Sequence, residues 1–173
     1  MPRAFAAGDD ELVEAERLIR DRMSGLDLDL LSLAAVSNVF RTATAVRNHM
    51  ERDVLRPHQL SWSAFVVLFV LRIWGPQESR SLATEAGISG GTLTGVLDTL
   101  ERKALAVRQP VPEDRRRVEV ALTPAGTRVV NEIMPAFNRE ESLVTGDLTE
   151  EETATLARLL RRVLRAAEDL DDR

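Results

Sequence analysis

The sequence predicts a mainly α-helical chain with one small β-hairpin. Apolar residues recur at helical spacing through most of the 173 residues, and the period changes to strand-like alternation only between Val107 and Leu122. Aromatic residues make up only 4% of the chain, so the core must be built mainly from Leu, Val and Ala. With 173 residues, 44% of them hydrophobic and 29% charged, the chain is expected to fold as a single domain or as one domain with terminal extensions.

Two helices are predicted in the N-terminal part of the chain. Asp9–Met23 alternates charged and apolar residues at a spacing of three to four, which is typical of a short amphipathic helix. A longer helix is predicted from Asp29 to about Leu55, where Arg56-Pro57 ends it. Its apolar residues cover more than one face, so this helix needs more than one packing partner.

Three helices are predicted in the centre. Ala64–Trp74 is apolar nearly all round and indicates a buried helix, with Ser61 or Ser63 as its N-cap. A short helix over 80–86 follows, with Ser79 as its N-cap and Gly87 supplying a left-handed residue at its end. Ser89 then begins a third helix that continues to Lys103.

The hairpin and two further helices complete the chain. Residues 107–111 and 118–122 alternate as two strands, with residues 112–117 as the hairpin tip. Thr123-Pro124 opens a helix from about Ala125 towards Ser142. Thr149 and Glu152 form a capping box before a last helix. That helix carries an apolar stripe that requires a partner helix: Leu156, Leu159, Leu160, Val163, Leu164 and Ala167.

Several classes of function are disfavoured by composition. The chain has no Cys, which excludes disulfides, thiolate metal sites and thiol-based redox sensing. The two His residues, His49 and His58, lie in no HExxH spacing, and Gly90-Gly91 lacks the strand and Lys of a phosphate-binding loop. We therefore expect no enzyme activity, no metal and no cofactor. The longest apolar run, Ala64–Leu71, is too short to cross a bilayer, and we expect a cytoplasmic protein.

Charge is unevenly distributed along the chain. The formal net charge is −5, and both ends are acidic. Residues 101–128, in contrast, hold seven basic and four acidic side chains, a net charge of +3. By itself, a basic segment within an acidic chain is compatible with a local polyanionic partner and equally with a solvated face.

The central helices have the pattern of a helix-turn-helix, which with the hairpin forms a winged helix. Ala83 is the small residue at the crossing, Gly87 is the turn, and Ile88, Leu93 and Val96 form the inner face. Small or hydroxyl-bearing residues occupy the outward positions near the start of the second helix, which suits entry into a major groove. These candidate DNA-binding residues are Ser89, Gly90, Gly91, Thr92 and Thr94.

The hairpin tip adds a cluster of arginines. Arg115, Arg116 and Arg117 suit the narrow, negative minor groove, and Asp114 can orient a guanidinium by a fork-shaped pair. The alternative is a merely solvated turn.

Two stretches resemble the MarR (multiple-antibiotic-resistance regulator) family of bacterial transcription factors. Residues 114–126 (DRRRVEVALTPAG) are similar to the wing signature of that family, and residues 91–103 (GTLTGVLDTLERK) are similar to its recognition helix. The chain has Ala104 where the family usually has Gly, which affects how the recognition helix ends.

The resemblance implies a homodimer that reads palindromic double-stranded DNA. It divides the chain into N-terminal dimerisation helices (1–57), a winged helix-turn-helix (58–123) and C-terminal helices that complete the dimer interface (124–173). The recognition helix would span about 89–103 and the wing about 106–122. Arg116 would enter the minor groove with Asp114 as its partner, while Arg115 and Arg117 would lie nearer the phosphates.

The resemblance also implies repression that a small aromatic or phenolic ligand relieves. Arg41, Trp62 and Phe65 are the candidate effector-binding residues, with Arg41 meeting a carboxylate, although Trp62 and Phe65 are also natural core residues. The helix at 9–23 resembles that of the urate-responsive branch, but Val66 and Val96 stand where that branch has polar ligand residues. The alternative function is a winged-helix module that binds a protein and not DNA.

Overall fold

The computed structural model describes residues 9–23, 25–111 and 114–171. The chain divides into two compact units between His49 and Met50, which are described separately.

The N-terminal unit contains α1 (Asp9–Arg22) and most of α2 (Leu30–Met50), which confirms the two helices expected there. Asp29 begins α2, because its carboxylate accepts hydrogen bonds from the Ser32 amide (3.0 Å) and the Ser32 hydroxyl (2.7 Å). These bonds favour the charged form and lower the pKa of Asp29 below its usual value. Large apolar side chains of α2 stay exposed in this unit, including Leu31 at 82% and Phe40 at 71%.

The end of α2 differs from the sequence prediction. The α-helix stops at Met50 and continues as a π-helical turn, Glu51–Leu55, and a 3₁₀ turn, Arg56–His58. Val54 and Leu55 are both buried in the wider turn. The helical periodicity therefore continued to about Leu55, although the hydrogen-bonding pattern had already changed.

Helix α3 (Trp62–Trp74) is the central core helix, as its apolar composition predicted. Of the two candidate caps the structure uses Ser61, whose hydroxyl accepts from the Ala64 amide at 3.3 Å. Its neighbour is α6 (Pro124–Val144), and Phe65 stacks on Phe137 with ring centroids 4.6 Å apart.

Among the helices described, none alone is long and apolar enough to cross a membrane. The bent pair Leu30–His58 and Trp62–Trp74 reaches that length and composition only when its two helices are combined.

The sheet has three antiparallel strands in the order β1-β3-β2, so the prediction of a two-stranded hairpin was incomplete. Strand β1 (Gln77–Glu78) pairs with β3 (Asp114–Leu122) through Gln77↔Val120 and Glu78↔Glu119. Two polar residues carry no alternating pattern, so β1 left no signal in the sequence. It is formed by pairing with β3 and not by its own propensity.

The hairpin itself joins β2 (Ala106–Val111) and β3. Its tip is shorter than the expected 112–117, because β3 already begins at Asp114. The ladder is irregular there: Pro110 pairs with Val118, but Val111 pairs with Asp114. Residues 115–117 are therefore surplus residues of a bulge in β3.

Between α3 and the hairpin lie α4 (Ser79–Glu85) and α5 (Gly90–Arg102). Helix α4 begins one residue before its predicted start, so its N-cap is Glu78 and not Ser79. The reason is that Gln77 and Glu78 are already extended by pairing with β3.

Two C-terminal helices end the fold as expected. The Thr123 hydroxyl caps α6 by accepting from the Gly126 amide at 3.0 Å, and Pro124 is the first residue of the helix. Helix α7 (Glu150–Asp171) begins with the predicted capping box between Thr149 and Glu152. The stripe of leucines and valine at positions 156–164 is between 42% and 59% exposed.

Candidate nucleic-acid interface

The turn between α4 and α5 is set by a helix-ending motif. Gly87 has φ +61°, its amide donates to the Thr84 carbonyl, and the Ile88 amide donates to the Ala83 carbonyl, both at 3.0 Å. This is the bond pattern of the Schellman motif, which favours glycine at the left-handed position. Gly87 therefore ends α4 sharply and directs the chain into α5, as the sequence predicted.

Helix α5 begins at a well-formed cap. The Ser89 hydroxyl accepts from the Thr92 amide at 3.1 Å and lies 2.9 Å from the Thr92 hydroxyl. The first two residues of α5, Gly90 and Gly91, have no Cβ, and all five candidate groove residues are exposed. The helix N-terminus is thus open to a ligand, with free amides and the positive end of the helix dipole.

The inner face of α5 packs as expected. Leu93, Leu97 and Leu100 are buried, as is Ala83 on α4, while Val96 and Ile88 are half-buried. The amphipathic division of α5 therefore gives one face to the core and leaves the other, with Thr92 and Thr94, exposed.

The end of α5 has a second Schellman motif, with Ala104 at the left-handed position. Ala104 has φ +53°, and the amides of Ala104 and Leu105 donate to the carbonyls of Glu101 (2.8 Å) and Leu100 (2.9 Å). The Thr123 hydroxyl donates to the Ala104 carbonyl at 2.6 Å. The departure from Gly at this position thus leaves the helix ending intact.

Arg108 joins α5 to the hairpin. On β2, its guanidinium is paired with the carboxylates of Asp98 and Glu101 on α5, and Nη1 and Nη2 each lie 3.2 Å from Asp98 Oδ1. The Arg108 amide also donates to Glu101 Oε1 at 3.0 Å. Arg108 belongs to the basic segment 101–128, and its separation of ten residues from Asp98 leaves no sign of this pairing in the sequence.

A cavity of about 510 Å³ lies between α4 and α5. Arg80, Thr84, Ile88, Thr94 and Arg108 are among its lining residues. It opens beside the exposed start of the recognition helix.

Comparison with known proteins gives the family. A model of the MarR family matches residues 60–118. A relative from Bacillus subtilis, the uncharacterized HTH-type transcriptional regulator YwaE, is 36% identical over 141 residues, which cover 82% of this chain and 81% of that protein. The chain belongs to the MarR family.

Two solved structures match most of the chain. One is a mutant of MarR from E. coli complexed with operator DNA, with a TM-score of 0.71, 26% identity and coverage of 80% of this chain and 99% of that one. The other is Bordetella bronchiseptica BpsR, whose DNA binding is regulated by 6-hydroxynicotinic acid, with a TM-score of 0.66, 28% identity and coverage of 75% and 98%.

At the tip of the hairpin, which corresponds to the wing of the MarR family, the structure describes the backbone of residues 114–117 but not their side chains. Asp114, Arg115, Arg116 and Arg117 lie in β3. Their assigned contacts therefore remain predictions.

The three candidate effector residues have different surroundings. Phe65 is only 3% exposed, between Phe69 and Phe137, so it is a core residue. Trp62 is half-buried, and its ring centroid lies 6.1 Å from that of Phe137. Arg41 lines a groove of about 410 Å³ along α2 with Phe40, Thr44, Ala45 and Asn48.

Proposed function

We propose that this MarR-family protein is a sequence-specific regulator that binds double-stranded palindromic DNA as a homodimer. The observation that carries the proposal is the open N-terminus of α5, where Ser89, Gly90, Gly91, Thr92 and Thr94 are all exposed and none is acidic. Small residues allow the helix to approach base edges closely, and hydroxyls can donate to or accept from them.

The wing supplies the second contact in this proposal. Arg116 enters the minor groove and Asp114 orients it, while Arg115 and Arg117 contact phosphates. Support comes from the backbone: these residues lie at the tip end of the β2–β3 hairpin, and 115–117 are the surplus residues of the bulge. An Arg at the end of a ribbon suits a narrow minor groove.

Dimerisation is proposed through the terminal helices, residues 1–57 and 124–173. The support is apolar surface that each unit leaves open: Leu31 and Phe40 on α2, and the stripe on α7. Contiguous exposed apolar side chains are typical of protein interfaces. A two-fold dimer would place two recognition helices about one turn of DNA apart, which matches a palindrome.

The test is fluorescence anisotropy with a labelled duplex from the region upstream of the gene and a shuffled duplex, each at two salt concentrations. We expect preference for the native duplex and an affinity that falls by orders of magnitude between low and moderate salt, since each phosphate contact releases counterions. Absence of duplex binding even at low salt would refute the proposal and favour a protein-binding module.

We further propose that binding represses transcription and that a small aromatic or phenolic ligand releases the DNA. The support is the likeness to BpsR, whose DNA binding responds to 6-hydroxynicotinic acid. Trp62, which is half-buried, is the aromatic group we assign to the ligand, and Arg41 is assigned to a ligand carboxylate. Phe65 would support Trp62 through their shared neighbour Phe137.

Tryptophan fluorescence tests the ligand assignment, because the chain has only two tryptophans. In a Trp74→Phe variant, Trp62 is the single reporter, and hydroxynicotinic, hydroxybenzoic and hydroxyphenylacetic acids can be titrated against it. We expect one of these classes to quench Trp62 saturably and to release the labelled duplex. Release of DNA without any change in Trp62 fluorescence would place the ligand elsewhere.

A further inference from the structure

The ion-paired group at the base of the wing is built from both DNA-contacting elements. Glu101 binds Arg108 in two ways: its Oε1 accepts a hydrogen bond from the Arg108 main-chain amide at 3.0 Å, and its carboxylate forms an ion pair with the guanidinium. Asp98, one turn earlier on α5, accepts from both Nη1 and Nη2 of the same guanidinium, and Nη1 is shared with Glu101. We call Asp98, Glu101 and Arg108 the helix–wing clasp.

We infer that the helix–wing clasp is a positioning device for DNA binding, which fixes the angle between α5 and the wing, and that Arg108 is not a phosphate contact. The inference rests on the proposed function. A recognition helix and a wing that read one site must enter two grooves together, so a small change in their angle misplaces one of them. The main-chain bond to Glu101 holds the start of β2, and the two side-chain pairs resist its rotation.

Charge gives the inference its sharpest consequence. Glu101 and Arg108 are each half-buried, and the trio carries two negative charges and one positive charge. Beside a polyanion, a surplus carboxylate is unfavourable by itself, and its neutralisation should tighten binding. If the carboxylates instead hold the wing in place, their neutralisation weakens binding. The two explanations therefore predict opposite signs for the same substitution.

The experiment uses the full chain and a duplex that the unaltered protein selects from a random pool. Glu101→Gln removes a negative charge and keeps the shape of the side chain. We expect its affinity for the duplex to fall about tenfold, as is common for coupled charged groups. Glu85→Gln is the matched control, since it removes an exposed acid from α4 outside the clasp, and we expect its affinity to be unchanged or slightly higher.

Salt dependence separates positioning from direct contact. If Arg108 met a phosphate, Arg108→Gln would lower the slope of log affinity against log salt by about one per contact. We expect the slope to stay the same while the affinity falls. We also expect the Glu101→Gln/Arg108→Gln double variant to lose less affinity than the sum of the two single losses, because both substitutions remove the same Glu101–Arg108 ion pair.

Loss of folding is distinguished by a stability-matched variant. Ile133→Val removes one methylene from the buried core of α6, away from the clasp. This variant should keep full affinity for the duplex while its Tm falls by about as much as that of Glu101→Gln. The inference is overturned if Glu101→Gln binds as tightly as the unaltered protein or more tightly, or if Arg108→Gln lowers the salt slope. If the unaltered protein selects no duplex, it is the proposed function that fails.

Discussion

Ala104 takes a backbone conformation that a side chain disfavours. Its φ of +53° ends α5 in the same way that Gly87, at φ +61°, ends α4. The two positions belong to the same motif and differ only in the Cβ atom. They form a natural pair for measuring the cost of that atom.

We expect Ala104→Gly to raise the free energy of unfolding by about 1 kcal/mol, because glycine relieves the left-handed backbone strain. Part of this stabilisation is offset because glycine also increases the conformational entropy of the unfolded chain. Gly87→Ala should lower it by a similar amount, since a Cβ there meets open space and only the backbone is strained. Urea denaturation of both variants checks the pair. A loss of stability in Ala104→Gly would show that the alanine methyl contributes packing that outweighs its strain.

Arg116 carries the wing assignment. We expect Arg116→Ala to weaken duplex binding about tenfold or more without changing the Tm, because an Arg placed in a groove contributes roughly 1–3 kcal/mol. Arg139→Ala, an exposed arginine on α6, is the control for a simple change in net charge. Near-unaltered affinity in Arg116→Ala would remove Arg116 from the interface.

At the scale of the element, α7 depends on its capping box. The Thr149 amide donates to Glu152 Oε2 at 2.8 Å, and so does the Thr149 hydroxyl. Both hydrogen bonds favour the charged carboxylate and lower the pKa of Glu152 below its usual value; the bond from the amide has the larger effect and the bond from the hydroxyl the smaller.

The cap should therefore fail in acid. A carboxylate with a lowered pKa stabilises the helix above its usual pKa, and that contribution is lost as pH falls through the lowered value. We expect Thr149→Ala to raise the pKa of Glu152 part of the way, because the amide remains and only the hydroxyl is removed. An NMR pH titration of the Glu152 carboxyl measures it, and an unchanged pKa in the variant would contradict the capping geometry.

Helices and strands with a clear hydrophobic periodicity, or with a capping residue at their start, were predictable from the sequence. Ser89, Thr123 and Thr149 mark helix starts because each side-chain oxygen accepts from a backbone amide of the first turn or forms a capping box. Ser79 had the same local pattern but lies inside α4. Strand β1 was missed because pairing with β3 creates it, and the longer β3 was missed because consecutive arginines resemble a solvated turn. The pairing of Arg108 was missed for a similar reason, since only the folded hairpin brings it to Glu101.

At the scale of the whole molecule, the exposed stripe of α7 predicts self-association. We expect Leu160→Asp to shift the protein from dimer to monomer in sedimentation equilibrium, because a buried carboxylate at an apolar interface is costly. Arg162→Asp is the matched control, since it lies about 200° away around the same helix. A monomeric unaltered protein, or a dimeric Leu160→Asp variant, would remove α7 from the interface.

The sequence and its resemblance to a family predicted the winged helix-turn-helix architecture, but they could not separate ligand residues from core residues. Phe65 shows why: an aromatic residue on a core helix and one in a binding cleft have the same local pattern, and only its burial, at 3% exposed, marks Phe65 as a core residue. Trp62 and Arg41 remain assignments for the ligand experiment, because side-chain identity does not determine the shape of a cleft.

The bulge in β3 separates the length of the wing from the integrity of the sheet. Pro110↔Val118 closes the regular ladder, and residues 115–117 extend beyond it without a partner in register. Insertions or deletions among these surplus residues therefore change the reach of the wing while β1, β2 and the rest of β3 keep their pairing. The length of the hairpin tip thus becomes a dimension that insertion or deletion can vary without rebuilding the domain.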